Sequence, residues 1–207
     1  MRTHFLKSSL GFAGIAILLT LGATRAEASL IFLAPAIDAL PGSTGTFDIL
    51  LENTGPSSVA IGGFEFGIST TNSSILFTDA TINTVSAPYI FGIDSLFGPD
   101  IALTTGTSLT ADDNPASVGS YDVAAGETVG LGNVSYSISS ASPYGQFAIT
   151  FSPSPTSVLA DAAGANIPIT TLSNGSFEVT PEPSSILLML GGLLAGLSLR
   201  KTSARLR

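Results

Sequence analysis

The sequence contains no cysteine and no tryptophan, only one histidine, and only 11% charged residues in a chain of 207. The absence of cysteine excludes a disulfide framework, a thiolate metal site and a cysteine nucleophile. With 7 basic residues against 15 acidic ones, the net charge is −8. This balance argues against nucleic acid as a partner, because affinity for phosphates comes from Lys and Arg. The length predicts a single domain with accessory segments.

The charged residues are distributed unevenly along the chain. All basic residues lie in the first 28 or the last eight residues, and no Lys, Arg or His occurs between Ser29 and Thr180. The acids of this middle region are Asp38, Asp48, Glu52, Glu65, Asp79, Asp94, Asp100, Asp112, Asp113, Asp122, Glu127, Asp161 and Glu178. Segments 1–28, 29–180 and 181–207 therefore carry net charges of +2, −13 and +3, and we interpret each separately.

The first 28 residues have the three parts of a secretory signal peptide. Two basic residues precede an uncharged, mostly apolar run over residues 10–21, and small residues follow at Ala26 and Ala28. Signal peptidase accepts only small side chains at these two positions, so the pattern predicts cleavage before Ser29. An uncleaved membrane anchor is the alternative, but about a dozen apolar residues are too few to span a bilayer comfortably. The only histidine is lost with this peptide.

The C-terminal segment contains a short apolar stretch followed by basic residues. Residues 184–199 carry no charge and would rise about 24 Å as a helix. A hydrocarbon core is about 30 Å thick, so this predicted helix spans it only with local thinning or snorkelling of Arg200 and Lys201. Positive residues at this position favour a cytoplasmic C-terminus. The predicted signal peptide would place the middle region on the opposite side of the membrane.

A tripeptide, Pro181, Glu182 and Pro183, precedes the apolar stretch. Together with the short helix and the basic tail, it resembles the PEP-CTERM sorting domain over residues 181–207. The resemblance implies a bacterium with an outer envelope and an exopolysaccharide system. It also implies an exosortase, a transpeptidase-like membrane enzyme that recognises the tripeptide and removes the tail. An ordinary C-terminal anchor is the alternative.

The middle region has the apolar pattern of an all-β domain. Apolar residues alternate with other residues in three stretches, as expected for strands with one buried face. These are Phe47, Ile49 and Leu51; Phe64, Phe66 and Ile68; and Phe147, Ile149 and Phe151. No stretch shows helical periodicity, and Gly, Pro, Ser, Thr and Asn recur at roughly ten-residue intervals, which is typical of a sandwich or barrel. We therefore predict a single antiparallel two-sheet β-sandwich.

Two local signals refine this prediction. The parity of the apolar residues changes between Leu131 and Val134, beside Gly130 and Gly132, which predicts a β-bulge. Asn-Gly at positions 174 and 175 predicts a type I′ hairpin between residues 167–172 and 177–179.

The middle region also resembles cohesin-type domains, and its predicted sandwich is cohesin-like or jelly-roll-like. The resemblance is loose and extends over most of Phe47–Val179. It implies the fold and no function, so a dockerin partner is not inferred from it. The segments that carry it are residues 47–53, 61–68, 74–77, 131–136, 159–164 and 174–179.

The composition of the middle region disfavours catalysis. Without His, Cys, Lys or Arg, the usual bases, thiol nucleophiles and cations that stabilise an oxyanion are missing. A carboxylate pair, as in a glycosidase, is the only familiar alternative. The absence of Trp removes the strongest platform for stacking a sugar. We expect no enzyme activity, no cofactor and no specific metal site.

The densest group of oxygen donors is Asp112, Asp113 and Asn114, in a predicted loop that ends at a proline, with Asp100 and Asp122 as companions. Calcium prefers such ligands, but no calcium-loop spacing is present. A solvated acidic turn is the favoured interpretation, and calcium binding stays open.

These observations predict an exported protein of the bacterial cell surface or extracellular matrix. It comprises a signal peptide over residues 1–28, a β-sandwich over 29–180 and a sorting segment over 181–207. The expected role is structural or adhesive association with exopolysaccharide, with divalent cations bridging the two. A carbohydrate- or calcium-binding module with a defined site is the alternative, and a glycosidase is a distant third. Signal peptidase and an exosortase-like enzyme are the expected processing partners, and the C-terminal helix would anchor the chain transiently in the membrane.

Overall fold

A computed structural model describes residues 29–182, apart from 97, 104–105, 118 and 154–155, and in addition residue 188. The predicted signal helix lies outside the described residues, as does nearly all of the predicted C-terminal helix. Between residues 29 and 182, the described part of the chain contains one helical element, the 3₁₀ turn Gly92–Asp94. No helix in the described residues is long and apolar enough to cross a membrane. The prediction of an all-β domain is confirmed.

The described residues contain fifteen strands, which form two large sheets and, in addition to the two sheets predicted, a small two-stranded ribbon. The first sheet has the order β14-β1-β3-β10-β6. Its strands are β1 (Leu30–Leu33), β3 (Thr44–Asn53), β6 (Ile75–Thr81), β10 (Thr128–Ile138) and β14 (Thr171–Ser173). The ribbon pairs β4 (Val59–Ile61) with β9 (Tyr121–Val123).

The second sheet has eight strands around β5. One edge of β5 pairs with β8, which pairs with β7; the other edge pairs with β11 and β12. The sheet continues from β11 through β15 to β2, and from β12 to β13. Its strands are β2 (Ala36–Ala39), β5 (Gly63–Ser69), β7 (Asp100–Leu103), β8 (Ser108–Asp113), β11 (Gly145–Phe151), β12 (Val158–Ala160), β13 (Asn166–Ile167) and β15 (Gly175–Val179).

The two large sheets face each other across one hydrophobic core. Phe177 on β15 is fully buried, and its ring centroid lies 4.9 Å from that of Tyr136 and 5.9 Å from that of Phe47, both on the first sheet. Phe32 of the first sheet lies 5.9 Å from Phe151 of the second. These contacts between sheets establish the predicted sandwich.

The predicted alternation and bulge are confirmed. Of the nine alternating apolar side chains, eight are buried and Phe147 is partly buried. On β10, Gly130 pairs with Leu50 and Gly132 with Ile49, so Leu131 is the extra residue of a bulge. Because the extra residue reverses the side-chain parity, the apolar residues on both sides of the bulge reach the core.

The sequence predicts a purely antiparallel sandwich, and this part of the prediction is wrong because two pairs of strands are parallel. β1 runs parallel to β14, and β2 runs parallel to β15. Residues 30–39 supply one strand to each sheet, because the chain passes from the first sheet to the second between Leu33 and Ala36. The direction in which two neighbouring strands run is not visible in the alternation of apolar residues, which reports only the buried face.

The predicted hairpin at Asn174 and Gly175 is wrong. Residues before Asn174 pair with β1 in the first sheet, and residues after it pair with β11 in the second, so the chain crosses between sheets here. Asn174 accepts a hydrogen bond through Oδ1 from the Phe151 amide at 3.0 Å. Gly175 does not have the positive φ of a type I′ turn. It is close to backbone: an added Cβ would lie 2.2 Å from the Pro35 carbonyl oxygen.

Replacing Gly175 by alanine is therefore expected to destabilise the domain by roughly 1–3 kcal/mol, the usual cost of overpacking against atoms that must shift. Chemical denaturation of the variant would measure the loss. Gly119→Ala is the matched control, because Gly119 does not have a positive φ and its added Cβ would touch nothing within 4 Å, so stability should change little. A Gly175→Ala domain as stable as the wild type would contradict the close approach of the two backbone segments.

Candidate functional site

The structure places only some of the predicted sorting and cleavage residues. Ser29 immediately precedes β1, and its carbonyl oxygen accepts hydrogen bonds from the Thr54 amide at 2.8 Å and hydroxyl at 3.1 Å. Pro181 is partly buried and Glu182 is exposed, directly after β15 and Thr180. Ala26, Ala28, Pro183, Arg200 and Lys201 lie outside the described residues, so their predicted roles stay predictions.

Asp112, Asp113 and Asn114 do not form the loop that the sequence suggested. Asp112 and Asp113 are the last two residues of strand β8. Successive side chains of a strand point to opposite faces, so Asp112 is exposed while Asp113 is buried. This arrangement prevents the two neighbouring carboxylates from sharing one ion as a loop would allow.

Asp113 is buried at the edge of the core, and its carboxylate accepts three hydrogen bonds from neighbouring segments. It accepts hydrogen bonds from the Tyr89 hydroxyl at 2.6 Å and the Ser95 hydroxyl at 2.5 Å through Oδ2, and from the Asn114 amide at 2.8 Å through Oδ1. Burial, followed by the hydrogen bond to Asp113, raises the pKa of Tyr89 far above its ordinary value, so its phenol stays neutral and donates. These bonds attach the connection between β6 and β7 to the second sheet.

Asp112 belongs instead to a line of three carboxylates on the outer face of the second sheet. It pairs directly with Glu65 on β5 and with Asp100 on β7, so we call Glu65, Asp112 and Asp100 the carboxylate row. Residues directly opposite in a sheet project from the same face. The alternate residues Phe64, Phe66 and Ala111 are buried, which leaves the row on the solvent side.

The electrostatics of the row reflect this crowding of like charges. Partial desolvation and then the charge of Asp112 raise the pKa of Glu65. Partial desolvation and then the charges of Asp100 and Asp113 raise the pKa of Asp112. The row is a region of concentrated negative charge that favours either protonation or nearby cations.

The raised pKa values predict how stability depends on pH. The folded domain binds protons at Glu65 and Asp112 at a higher pH than the unfolded chain does, so their contribution to stability falls as pH rises from about 4 through the raised values. Replacing Asp112 by asparagine should therefore stabilise the domain at pH 7 by about 0.5 kcal/mol, the scale of a like-charge pair across strands.

The measurement is the urea midpoint of wild type and Asp112→Asn at several pH values. The difference between them should shrink as the pH falls to about 4, where the unfolded carboxyl group itself takes up a proton. Asp122→Asn is the control, since Asp122 is exposed on the ribbon and pairs with Ala60 rather than with an acid. A constant or growing difference on acidification would contradict the interaction within the row.

Asp122 therefore lies on the ribbon and not in the carboxylate row. Of the two predicted companions, Asp100 pairs with Asp112 and Asp122 does not, so the predicted cluster does not form a single site. Within the part of the chain that the structure describes, no three His, Cys, Asp or Glu side chains are grouped so that they could hold a metal ion. The described face of the second sheet also carries a shallow cavity of about 370 Å³ beside Glu65, Asp112 and Asn114.

Asp48 is a buried acid that no signal in the sequence predicts. On β3 it alternates with buried phenylalanine and isoleucine, yet it is itself only 5% exposed. Its carboxylate accepts hydrogen bonds from Asn133 Nδ2 at 2.7 Å, the Val85 amide at 2.7 Å and the Ser86 amide at 2.5 Å. Burial opposes ionisation, but these hydrogen bonds outweigh it and hold the pKa of Asp48 below its usual value.

Comparison with known proteins identifies the fold. No protein-family model matches the sequence, and no curated protein matches it. A cohesin solved with a dockerin, CaCohA2 of Clostridium acetobutylicum, is 20% identical, with a TM-score of 0.61 over 73% of this chain and 100% of that one. A non-cellulosomal cohesin from the archaeon Archaeoglobus fulgidus is 15% identical, with a TM-score of 0.53 over 77% of this chain and 96% of that one.

A type I cohesin of Clostridium thermocellum, also solved with its dockerin, is 13% identical, with a TM-score of 0.56 over 73% of this chain and 99% of that one. Each cohesin is covered almost completely by the described domain. At these identities the similarity establishes the fold alone: the described domain is a cohesin-like β-sandwich.

Proposed function

We propose that the chain is an exported protein of the bacterial cell surface or extracellular matrix, with a structural or adhesive role in association with exopolysaccharide. Residues 1–28 direct export and are removed by signal peptidase before Ser29. Residues 29–180 form the functional domain. Residues 181–207 hold the chain in the membrane until an exosortase-like enzyme recognises Pro181, Glu182 and Pro183 and removes the tail.

The observation that carries this proposal is a cohesin-like sandwich whose charges are all of one sign. The chain has no Lys, Arg or His between residues 29 and 182, and the carboxylate row concentrates negative charge on an exposed sheet face. Such a surface repels anionic polymers unless divalent cations lie between the two. We therefore infer that cations bridge the domain to acidic polysaccharide, with many weak contacts spread over the surface.

The segment boundaries are supported by the positions of the terminal strands. The first strand begins at Leu30, one residue after the proposed cleavage site. The last strand ends at Val179, and the Thr180 amide still donates to the Ala39 carbonyl at 3.1 Å. The proposed processing sites therefore lie at the edges of the folded domain, where cleavage removes no strand.

A second candidate function is specific docking of a protein partner. The observation that favours it is the fold itself, since several of the similar cohesins were solved in complexes with dockerins. Calorimetry with the dockerin of the CaCohA2 complex tests it directly. A saturable isotherm with one site would favour docking, and the absence of heat would count against it.

Calorimetry also separates diffuse bridging from a defined calcium or carbohydrate site. The domain is titrated with calcium, with alginate as an acidic polysaccharide, and with both together. After the heat of calcium binding to alginate without the domain is subtracted, diffuse bridging predicts that the remaining heat requires both components, shows no sharp stoichiometry and declines as sodium chloride screens the charges. Asp112→Asn should lower it only slightly, and so should Asp122→Asn. A stoichiometric isotherm abolished by one of these variants would instead establish a defined site.

The absence of catalysis is part of this proposal. It rests on the lack of His, Cys, Lys and Arg in the domain, which leaves only carboxylates as side-chain general acids or bases near neutral pH. Hydrolysis of any member of a broad glycan panel, abolished when one carboxylate pair is changed to Asn or Gln, would contradict it.

A further inference from the structure

Four connections at one end of the sandwich contain no charged residue at their described positions. The connections that meet there are residues 40–43, 70–74, 106–107 and 139–144, which we call the uncharged pole. None of these residues is acidic or basic, and most are Ser, Thr, Gly, Pro or Asn. By contrast, every acid of the middle region lies on a strand or in a connection elsewhere.

Hydrogen bonds show that these connections share one end of the domain. The Ile138 amide donates to the Ser43 carbonyl at 2.8 Å, and the Ser139 amide donates to the Ser74 carbonyl at 2.8 Å. The Thr70 amide donates to the Thr107 carbonyl at 2.9 Å. The pole is therefore a continuous surface built from four connections.

The chain leaves the domain at this same pole. Val179 pairs with Ala39, just before the first connection of the pole, and with Gly145, just after the last. Thr180 follows, and only Pro181, Glu182 and Pro183 separate it from the apolar stretch. Three extended residues span about 10 Å, so an apolar stretch inserted in a bilayer would hold the pole close to the lipid surface.

The opposite end is acidic. Strand β3 runs from Thr44 beside the pole to Asn53, roughly 30 Å away at about 3.3 Å per residue. Asn53 donates its backbone N–H to the Glu127 carbonyl at 2.9 Å and a side-chain N–H to the Val123 carbonyl at 3.0 Å, so the turn between β9 and β10 lies at that far end. Acids on the distal halves of strands or in distal connections are Glu52, Glu65, Asp79, Asp94, Asp100, Asp112, Asp113, Asp122, Glu127 and Asp161.

The pole also exposes apolar and amphipathic side chains. Tyr144 is 61% exposed, and Leu40 is also exposed. Leu76 is exposed on β6, next to Gly106 of the pole. Tyrosine is favoured at membrane interfaces, where its ring meets the lipid and its hydroxyl meets water. Asp38, Glu178 and Glu182 are the nearest carboxylates; the first two pair with each other on neighbouring strands, beside the pole rather than on it.

We propose that the uncharged pole is a lipid-contacting surface, which faces the bilayer while the C-terminal segment is inserted and holds the acidic end outward. Tyr144, Leu40 and Leu76 enter the headgroup region, and the Ser and Thr hydroxyls bond to headgroups. An acidic pole at this position would be repelled by anionic lipid. The inference rests on the C-terminal anchoring of the proposed function and adds an orientation and a contact surface to it.

The test compares the distance of each end from the lipid. The chain is purified from the membranes of an exporting host without exosortase, with the tail retained, and reconstituted in vesicles of phosphatidylethanolamine and phosphatidylglycerol. Because the chain has no cysteine, a single label site is introduced by Ala141→Cys at the pole or by Ala125→Cys at the far end; both residues are exposed. Spin-labelled headgroups then quench the attached fluorophore.

Vesicle flotation reports anchoring separately from orientation. We expect the chain to float with the vesicles and the label at position 141 to be quenched several-fold more than the label at 125. Equal quenching of the two labels in floating protein would overturn the lipid-contacting pole and leave the anchoring intact. Failure to float would overturn the anchoring, and the inference with it.

Two variants test whether contact with lipid depends on the side chains of the uncharged pole or only on the short connection, residues 181–183, to the apolar stretch. Tyr144→Ser with Leu40→Ser should lower quenching at position 141 while flotation stays complete. Tyr121→Ser is the matched control, because Tyr121 is also exposed but lies on the ribbon, with its hydroxyl 2.7 Å from Glu127 Oε1. Unchanged quenching in the double variant would contradict a lipid contact made by these side chains.

Discussion

Replacing Phe177 by alanine is expected to lower the free energy of unfolding by about 3–5 kcal/mol, the range for removing a large aromatic side chain from a core. Phe177 is fully buried, and its ring contacts three aromatic rings of the opposite sheet: those of Phe47, Phe77 and Tyr136. The variant leaves a cavity between the two sheets that neighbouring strands, fixed by their hydrogen bonds, fill only partly.

Chemical denaturation of the wild type and the variant measures this loss. Ile93→Ala is the control, because Ile93 is a large apolar residue that is fully exposed in the 3₁₀ turn. Its replacement should change stability by less than about 0.5 kcal/mol. A loss below 1 kcal/mol at Phe177 would contradict the packing of β15 against the first sheet, and with it the sandwich.

Replacing Asp48 by alanine is expected to cost about 3 kcal/mol. The change leaves the amides of Val85 and Ser86 and the side chain of Asn133 without their acceptor, and each buried donor left unpaired costs about 1–3 kcal/mol. The amides of Val85 and Ser86 are only partly buried, so water can replace some of the lost hydrogen bonding. The expected loss of stability is therefore near the lower end of the sum of the three costs. Asp122→Ala is the control, since Asp122 is exposed.

The loss at Asp48 should also depend on pH. Because its pKa is lowered in the folded domain, its contribution to stability is fully present above the unfolded value of about 3.9 and is lost as the pH falls through the folded value. The difference between wild type and Asp48→Ala should therefore narrow only in acid. The contribution of the carboxylate row to stability has the opposite pH dependence and increases as the pH falls, because the pKa values of Glu65 and Asp112 are raised in the folded domain. A difference at Asp48 that is independent of pH down to about 2 would contradict the proposed role of its charge.

The strands of the core could be predicted from the sequence because burial of one face leaves a period of two. Phe47, Ile49 and Leu51 show it on β3, and the change of parity after Leu131 located the bulge of β10. These features depend on residues close together in the chain. Their prediction needs no knowledge of which strands become neighbours.

The pairing of strands and the environment of the acids could not be predicted in this way. Asp48 has the sequence position of a solvent-facing residue, and it is buried because the connection after β6 folds over the outer face of its sheet. Asn174 and Gly175 have the composition of a hairpin, but β1 and β2 supply partners on different sheets and draw the flanking residues apart. Both outcomes follow from contacts between residues distant in sequence.

The carboxylate row has the same origin. Glu65, Asp100 and Asp112 are separated by up to 47 positions, and only the register of β5, β8 and β7 brings them together. The sequence grouped Asp112 with Asp113 because they are adjacent, whereas the strand directs their side chains to opposite faces. Spacing along the chain identifies metal ligands in loops and fails when the same residues lie on a strand.

Under the proposed function, the chain is exported and sorted, and both basic ends are removed. The decisive measurement is the intact mass of the protein released from the cell surface. We expect a chain that begins at Ser29 and ends near Pro181–Pro183, with no residue of the basic tail. Trypsin adds an independent readout, since there is no Lys or Arg from Ser29 to Leu199 and the processed chain should resist cleavage when unfolded. A surface form whose mass or peptides extend through Arg200 would show that the C-terminal tail is not removed and would contradict sorting.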